Sequence, residues 1–274
     1  MSQVPTVTLN DGNTIPQLGF GVWQVSSDDI VGSVSKALEV GYRHIDTAAI
    51  YGNEEGVGRA IAESGIPRDE LFITTKLWNS EHEHDLALKA IEESLTKLGL
   101  DKVDLYLIHW PAPGNDKFLE AWLALEDIQR QGLTRSIGVS NFQVDHLRLI
   151  QARGTVVPAV NQIEVHPTFT QKPLILENDE LDIRTEAWSP LGLGEDLAHP
   201  TIVQLAERAG RTPAQVIIRW HLQQGRIVFP KSVTPSRIEE NFNVLDFTLS
   251  DSDLEAIDAI NHENRIGGHP DKLN

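Results

Sequence analysis

A (β/α)8 barrel of the TIM type is the fold this sequence predicts, on three observations. Eight short apolar runs recur along the chain, helix-period segments separate them, and 274 residues is the length of one such domain. A doubly wound sheet is the alternative, because periodicity does not count closure. The runs are LGFGVW (18–23), RHIDTA (43–48), LFITTKL (71–77), VDLYLIHW (103–110), SIGVSN (136–141), AVNQIEV (159–165), DIRTEAWS (182–189) and IVFPKS (227–232). Most are too continuous in apolar character for a half-exposed antiparallel sheet and predict parallel strands buried on both faces. Ahead of them, TVTLNDGNTIPQL alternates around Asp11-Gly12, which predicts a short hairpin capping the barrel bottom.

The helices follow in order. In 85–98, Leu88, Ile91, Leu95 and Leu98 fall on one face, as do Phe118, Trp122, Leu125 and Ile128 in 118–130. Thr212-Pro213 is an N-cap and first-turn pair, with Gly225 as a stop; Thr234-Pro235 repeats the start signal, and Ser250 opens a last helix carrying Leu254 and Ile257. No composition shift or linker divides the chain, so one domain spanning 1–274 is expected.

Composition narrows the function. There is no cysteine, which excludes disulfides, thiolate nucleophiles and Cys-based metal sites. The formal net charge of −17 repels nucleic acid and anionic membranes. Neither a signal peptide nor an apolar run of the ~20 residues a membrane helix needs is visible. A cytoplasmic monomer with a small-molecule partner, no nucleic acid and no membrane, is the simplest expectation. Any anionic ligand must be held by a local basic site.

Four residues at or just beyond strand ends carry the chemistry: Asp46, Tyr51, Lys76 and His109. A polar group closing an apolar strand is costly to bury without partners, so these are expected to meet. A free phenol, with a pKa of ~10, is a poor acid at neutral pH. Lys76 beside Tyr51 would stabilise the phenolate, Asp46 would hold Lys76, and His109 would orient a substrate oxygen. The same four could instead form a braced core with a buried ion pair; their convergence at strand ends favours protonation of a carbonyl oxygen.

Such a donor needs a hydride source. No strand–GxGxxG–helix fingerprint is present: GNEEGVGRA (52–60), spaced G-x3-G-x-G inside what looks like a helix start, reads as a turn. After the last run, however, Lys231, Ser232 and Arg237 surround the start of a helix, where free N–H groups and the dipole favour a phosphate. Ser140, Asn141 and Gln162 carry donors and acceptors that could grip a carboxamide. Trp188 could stack on a flat ring, and Trp23, Trp78 and Trp110 could wall a substrate pocket around Tyr51. EHEH (81–84) reads as a solvated loop rather than a metal site, and GVSNF (138–142) departs from a nucleophile elbow. No metal is expected; a metal-dependent barrel hydrolase would need more converging ligands than Asp46 and His109.

GYRHIDTAAIYGNEEGVG, LFITTKLW, VDLYLIHWP, IGVSNF, PAVNQIEVHP and VFPKSV with its following Arg resemble, in order and over essentially the whole chain, the signatures of the aldo-keto reductases. The resemblance is to the bacterial branch that includes 2,5-diketo-D-gluconate reductases. It implies a (β/α)8 barrel that reduces aldehydes and ketones, small or sugar-derived, with NADPH. It implies a catalytic tetrad of Asp46, Tyr51, Lys76 and His109, with Tyr51 as general acid. Ser140, Asn141 and Gln162 then correspond to carboxamide contacts and Trp188 to the residue stacked on the nicotinamide. Ser189, Leu191 and Gly192 correspond to the pyrophosphate-side loop. Lys231, Ser232, Val233, Arg237, Glu240 and Asn241 correspond to the adenosine and 2′-phosphate site. The brief tail, NHENRIGGHPDKLN, implies an open pocket. A barrel that senses or holds NADPH without turnover is the rival reading, and an intact tetrad would have little use there.

Overall fold

The computed structural model describes residues 4–273; residues 1–3 and Asn274 of the expected 1–274 domain lie outside the described residues. Strands β1 (Thr6–Thr8) and β2 (Thr14–Pro16) pair antiparallel, with Val7 opposite Ile15. Gly12 takes φ 84° in their connection, a conformation glycine adopts without steric cost. Asn10 Nδ2 donates to the Pro158 and Asp182 carbonyls and Asn13 Nδ2 to Ser136 Oγ, which places this pair at the N-terminal ends of later strands.

Those later strands form one parallel sheet in chain order: β3 (Phe20–Gly21), β4 (His44–Asp46), β5 (Phe72–Leu77), β6 (Val103–Ile108), β7 (Thr134–Ser140), β8 (Val160–Glu164), β9 (Arg184–Trp188) and β10 (Ile227–Val228). The sheet curls until its first and last strands meet. Leu18 bridges Val228 in parallel, Val228 N–H donates to Gln17 O at 2.9 Å and Gly19 N–H to Val228 O at 2.8 Å. Each strand lies within its predicted run except β7, which starts two residues earlier at Thr134.

Ten helices accompany the described sheet: α1 (Ile30–Val40), α2 (Glu54–Ser64), α3 (His84–Leu98), α4 (Phe118–Arg130), α5 (Val144–Arg153), α6 (Lys172–Glu180), α7 (Pro200–Ala209), α8 (Pro213–Gln223), α9 (Pro235–Phe242) and α10 (Asp251–Asp258). The predicted caps act locally. Thr212 accepts the Gln215 N–H and Ser250 the Asp253 N–H, each within a reciprocal capping box. Thr234 precedes α9 but makes no side-chain capping bond.

The segment GNEEGVGRA combines a turn with the expected helix start. Only Gly52, with φ 66°, turns the chain, and Glu54 onward is α2. Its glycines serve packing instead. A Cβ on Gly56 would lie 2.2 Å from Ile30 Cγ2, and one on Gly58 would lie 2.3 Å from the Leu98 carbonyl oxygen. Close approach of α2 to α1 and to the end of α3 requires both hydrogens.

Side chains alternate across β6 as pleating dictates. Leu105 and Leu107 join Ile15, Phe72, Val160 and Ile227 in an inner cluster that includes β2, whereas Tyr106 and Ile108 join the outer cluster with the helices. The interior is thus filled from below, which leaves the C-terminal strand ends as the place for polar groups. Among the described residues no helix is long and apolar enough to cross a membrane.

Gly58→Ala should cost about 1–3 kcal/mol of stability, the range for forcing extra volume into a packed contact. Urea unfolding measures it. An unchanged midpoint would show that α2 and α3 can move apart freely.

Candidate active site

The chemistry collects at the C-terminal edge of the sheet because parallel strands all end there. Asp46 is the last residue of β4, Lys76 lies one residue before the end of β5, and His109 follows β6 with its N–H donating to Leu77 O at 3.0 Å. Tyr51 stands in a single 3-10 turn, Ala49–Tyr51, beyond β4.

Lys76 is fully buried. Its Nζ donates to Asp46 Oδ2 at 2.7 Å and to Thr47 O at 2.8 Å. The same ammonium lies 5.2 Å from the centroid of the Tyr51 ring. His109 meets Tyr51 edge to face with ring centroids 5.6 Å apart, and Trp78 flanks His109 at 5.2 Å. The structure therefore brings Asp46, Tyr51, Lys76 and His109 together.

Burial and charge set their protonation. Burial works against the Lys76 cation, but Asp46 and Tyr51 more than offset it, so its pKa is raised and it stays charged. Burial, aided by Lys76, holds His109 well below its ordinary value, so the imidazole is neutral. Burial pushes the Tyr51 phenol up; the charge and hydrogen bond of Lys76 pull it down without cancelling that rise.

Gln162, on β8, donates from Nε2 to Asp46 Oδ1 at 2.9 Å and to Glu186 Oε2 at 2.8 Å. Both amide hydrogens are thereby spent on carboxylic groups, and its Oε1 is what remains to accept a bond from a ligand. Glu186 is fully buried on β9, its other oxygen has no partner, and burial followed by the Asp46 charge pushes its carboxyl up to about 8. Sequence reading passed over Glu186. The available signal was a carboxyl midway along an apolar strand.

Ser140 Oγ donates to Gln162 O at 2.8 Å. Asn141, held at φ 65°, donates from Nδ2 to His109 O at 2.9 Å and to Ser140 Oγ at 3.1 Å. Its Oδ1 accepts the Trp188 indole N–H at 2.8 Å. Trp110 meets Trp188 edge-on at 6.4 Å, whereas Trp23 is 43% exposed and makes no ring contact with the site.

Beyond β9 the chain turns through Ser189 at φ 46°, Leu191 and Gly192 at φ 59°. A Cβ on Gly192 would sit 2.8 Å from Asp196 Cγ, so the turn folds tightly over that carboxylate. After β10, Lys231 and Arg237 are exposed and neither has an ion-pair partner among the described residues. Ser232 is buried and its Oγ accepts the Thr234 N–H at 3.1 Å; Val233 is exposed. Arg237 lies in the first turn of α9, whose N-terminus lacks a side-chain cap. Glu240 accepts from Thr212 Oγ1 at 2.8 Å and Asn241 is buried. Two unpaired cations beside the Ser236 N–H at the start of α9 fit a phosphate.

The EHEH residues diverge. Glu81 pairs with Ser80, His82 is buried, Glu83 pairs with Lys117, and His84 with Asp127. Among the described residues no cluster of three or more His, Asp or Glu is placed to hold a metal ion.

Known proteins share this arrangement of sequence and fold. A family model described as the aldo/keto reductase family matches residues 17–262. An aldo-keto reductase of Mycolicibacterium smegmatis is 53% identical over 270 residues, 98% of each chain. A protein of Escherichia coli named methylglyoxal reductase DkgA is 50% identical over 276 residues, covering 100% of this chain and 99% of its own. The structure of a Bombyx mori aldo-keto reductase in complex with NADP superposes with a TM-score of 0.92 at 38% identity, covering 99% of this chain and 100% of that one.

Glu186 generates a pH prediction. Its folded pKa, about 8, lies above the ordinary 4.5. The neutral carboxyl therefore contributes stability in full below pH 4.5, and that contribution is lost as pH rises through 8. Wild type should lose stability relative to Glu186→Gln across this window in urea titrations. A difference between the two proteins that stays constant with pH would contradict a neutral Glu186.

Proposed function

This chain belongs to the aldo/keto reductase family, and from that premise we propose that it reduces aldehydes and ketones to alcohols with NADPH, using Tyr51 as the general acid. The observation that carries the reading is the Lys76 ammonium, held by Asp46 and Thr47 and lying against the Tyr51 ring beside a neutral His109. When bound, the reduced nicotinamide supplies the hydride that reaches the carbonyl carbon.

The chain's residues supply the rest. Tyr51 O–H gives its proton to the carbonyl oxygen as charge develops there. Lys76 stabilises the phenolate left behind, and Asp46 keeps Lys76 charged and fixed. His109, being neutral, donates a hydrogen bond to the same oxygen and orients it. Donors set in place before the reaction need no reorganisation as the alkoxide forms, and orientation removes part of the barrier. Ser140, Asn141 and Gln162 would hold the carboxamide and Trp188 would face the ring. Ser189, Leu191 and Gly192 would hold the pyrophosphate. Lys231, Ser232, Val233, Arg237, Glu240 and Asn241 would hold the adenosine and its 2′-phosphate.

The domain in this reading is a single (β/α)8 barrel, capped below by β1 and β2 and active as a monomer. Its substrates are small α-oxo aldehydes, as the name of the Escherichia coli relative suggests, and sugar-derived ketones, 2,5-diketo-D-gluconate among them. Trp23, Trp78 and Trp110 wall the pocket in this reading. NADPH oxidation with methylglyoxal, diketogluconate and aromatic aldehydes tests this directly. Turnover with none of them would remove the substrate assignment.

Tyr51→Phe should bind cofactor normally and lose about 10²–10⁴-fold in turnover, the usual contribution of general acid–base catalysis. Near-normal reduction would exclude Tyr51 as the acid. Arg237→Ala should weaken NADPH by about ten- to hundredfold, one charge-assisted hydrogen bond, and leave NADH nearly unchanged. Equal losses for both cofactors would mean that Arg237 supports the loop rather than the phosphate.

A further inference from the structure

Behind Trp188 lies a buried chain of ionisable groups that proton transfer does not use. Glu164, the last residue of β8, is buried together with His166 and Asp196. His166 Nδ1 lies 3.0 Å from Asp196 Oδ2 and its Nε2 lies 3.2 Å from Glu164 Oε1. A carboxylic group at each ring nitrogen favours the doubly protonated ring, and Thr168 Oγ1 lies a further 3.1 Å from Nδ1. Burial opposes that charge, but the two carboxylates raise the pKa of His166 nonetheless.

The two ends of this chain grip different segments. Glu164 Oε1 accepts the Ile266 N–H at 2.7 Å and Oε2 the Gly267 N–H at 2.9 Å, which fixes the C-terminal tail. Thr168 O accepts the N–H groups of His262 and Asn264, at 3.2 and 3.1 Å, and ties the same tail again. Asp196 accepts from Thr168 Oγ1 at 2.8 Å and stands at the end of the turn through Gly192. The tail then runs directly against the site. A Cβ on Gly267 would lie 2.3 Å from Trp188 Cη2 and 2.7 Å from Glu164 Oε2, and one on Gly268 would lie 3.9 Å from Trp110 Cη2. The Trp188 indole is thus pinned at its N–H by Asn141 and at its far edge by Gly267.

We propose that Glu164 and His166 are positioning residues for the cofactor: they fasten the tail behind Trp188 and, through Asp196, the turn at Gly192, so that the indole presents one fixed face to the nicotinamide. This rests on the reading of Trp188 as the surface that the nicotinamide meets. Glu164→Gln removes the charge and one acceptor from the tail. Gly267→Ala removes no ionisable group; its methyl would press on the Trp188 indole at 2.3 Å and on Glu164 Oε2 at 2.7 Å, so it disturbs the same contact from the tail side and remains informative if loss of Glu164 prevents folding.

Equilibrium titrations of Trp188→Ala, Glu164→Gln and Gly267→Ala with NADPH and with NADH, alongside steady-state kinetics, test the proposal. Glu164→Gln and Gly267→Ala should raise both dissociation constants by the same factor, about two- to tenfold, the scale of one aromatic contact. The NADPH-to-NADH ratio and the pH profile of kcat should not move, because the phosphate and proton-transfer groups are untouched. In the Trp188→Ala background, Glu164→Gln should have no further effect on affinity. If Trp188→Ala weakens binding but Gly267→Ala and Glu164→Gln bind normally, positioning by the tail is wrong while Trp188 keeps its role. If Trp188→Ala itself binds both cofactors normally, the reading of Trp188 fails and the proposal with it. A Glu164→Gln protein that melts earlier yet binds normally would mark a purely structural role and overturn the proposal.

Discussion

The buried ion pair between Lys76 and Asp46 is the constraint on which the rest of the site depends. Removing two charges from water costs several kcal/mol per ion, and mutual attraction offsets this only where further hydrogen bonds complete the shell. Here the Thr47 carbonyl takes a second ammonium hydrogen and the Gln162 amide donates to the second carboxylate oxygen. Removing one partner from such a pair typically costs about 3–5 kcal/mol, because the other is left buried and uncompensated. The pair must therefore be built where strands from different parts of the chain end together. The parallel curl of the sheet provides that place, and the apolar filling around Leu105, Leu107 and β2 occupies the opposite end.

Around this pair the other groups take the charge that remains tolerable. Burial, and after it the Asp46 charge, disfavours a second ionised carboxyl, and Glu186 holds its proton to about 8. Burial, and after it the Lys76 charge, likewise disfavours a second cation, and His109 remains neutral. The ammonium assists the ionisation of the Tyr51 phenol through both its charge and a hydrogen bond. In the proposed reaction that phenol is the group that must become an anion. Burial and the Lys76–Asp46 pair thus sort an acid, a neutral donor and a silent carboxyl, the last held by burial and the Asp46 charge against the pull of Lys76.

The strands were legible because burial on both faces leaves runs such as VDLYLI with no polar alternation, and the helix starts were legible where a cap has local chemistry, as at Thr212 and Ser250. Three of the four central site residues, Asp46, Lys76 and His109, could be read because each interrupts an apolar run near its end, and Tyr51 because it follows the first of these runs within five residues. What could not be read depends on distance through space. Gln162 reaches Asp46 across 116 positions and Glu164 reaches Gly267 across 103, and no local pattern encodes either pairing. The tail looked merely brief, with an open pocket implied, yet its two glycines lie against Trp188 and Trp110. In GNEEGVGRA the helix start was legible, but Gly56 and Gly58 allow α2 to approach Ile30 and Leu98, which are distant in the chain.

The chain has three tyrosines, and burial drives two of them, Tyr42 and Tyr106, far up in pKa. Ultraviolet titration of phenolate absorbance can therefore isolate the third. The account predicts that one phenol ionises before the other two, that this step is missing in Tyr51→Phe, and that it moves to higher pH in Lys76→Met. A first phenol step that is unchanged when Lys76 is replaced would contradict the claim that the buried ammonium tunes Tyr51.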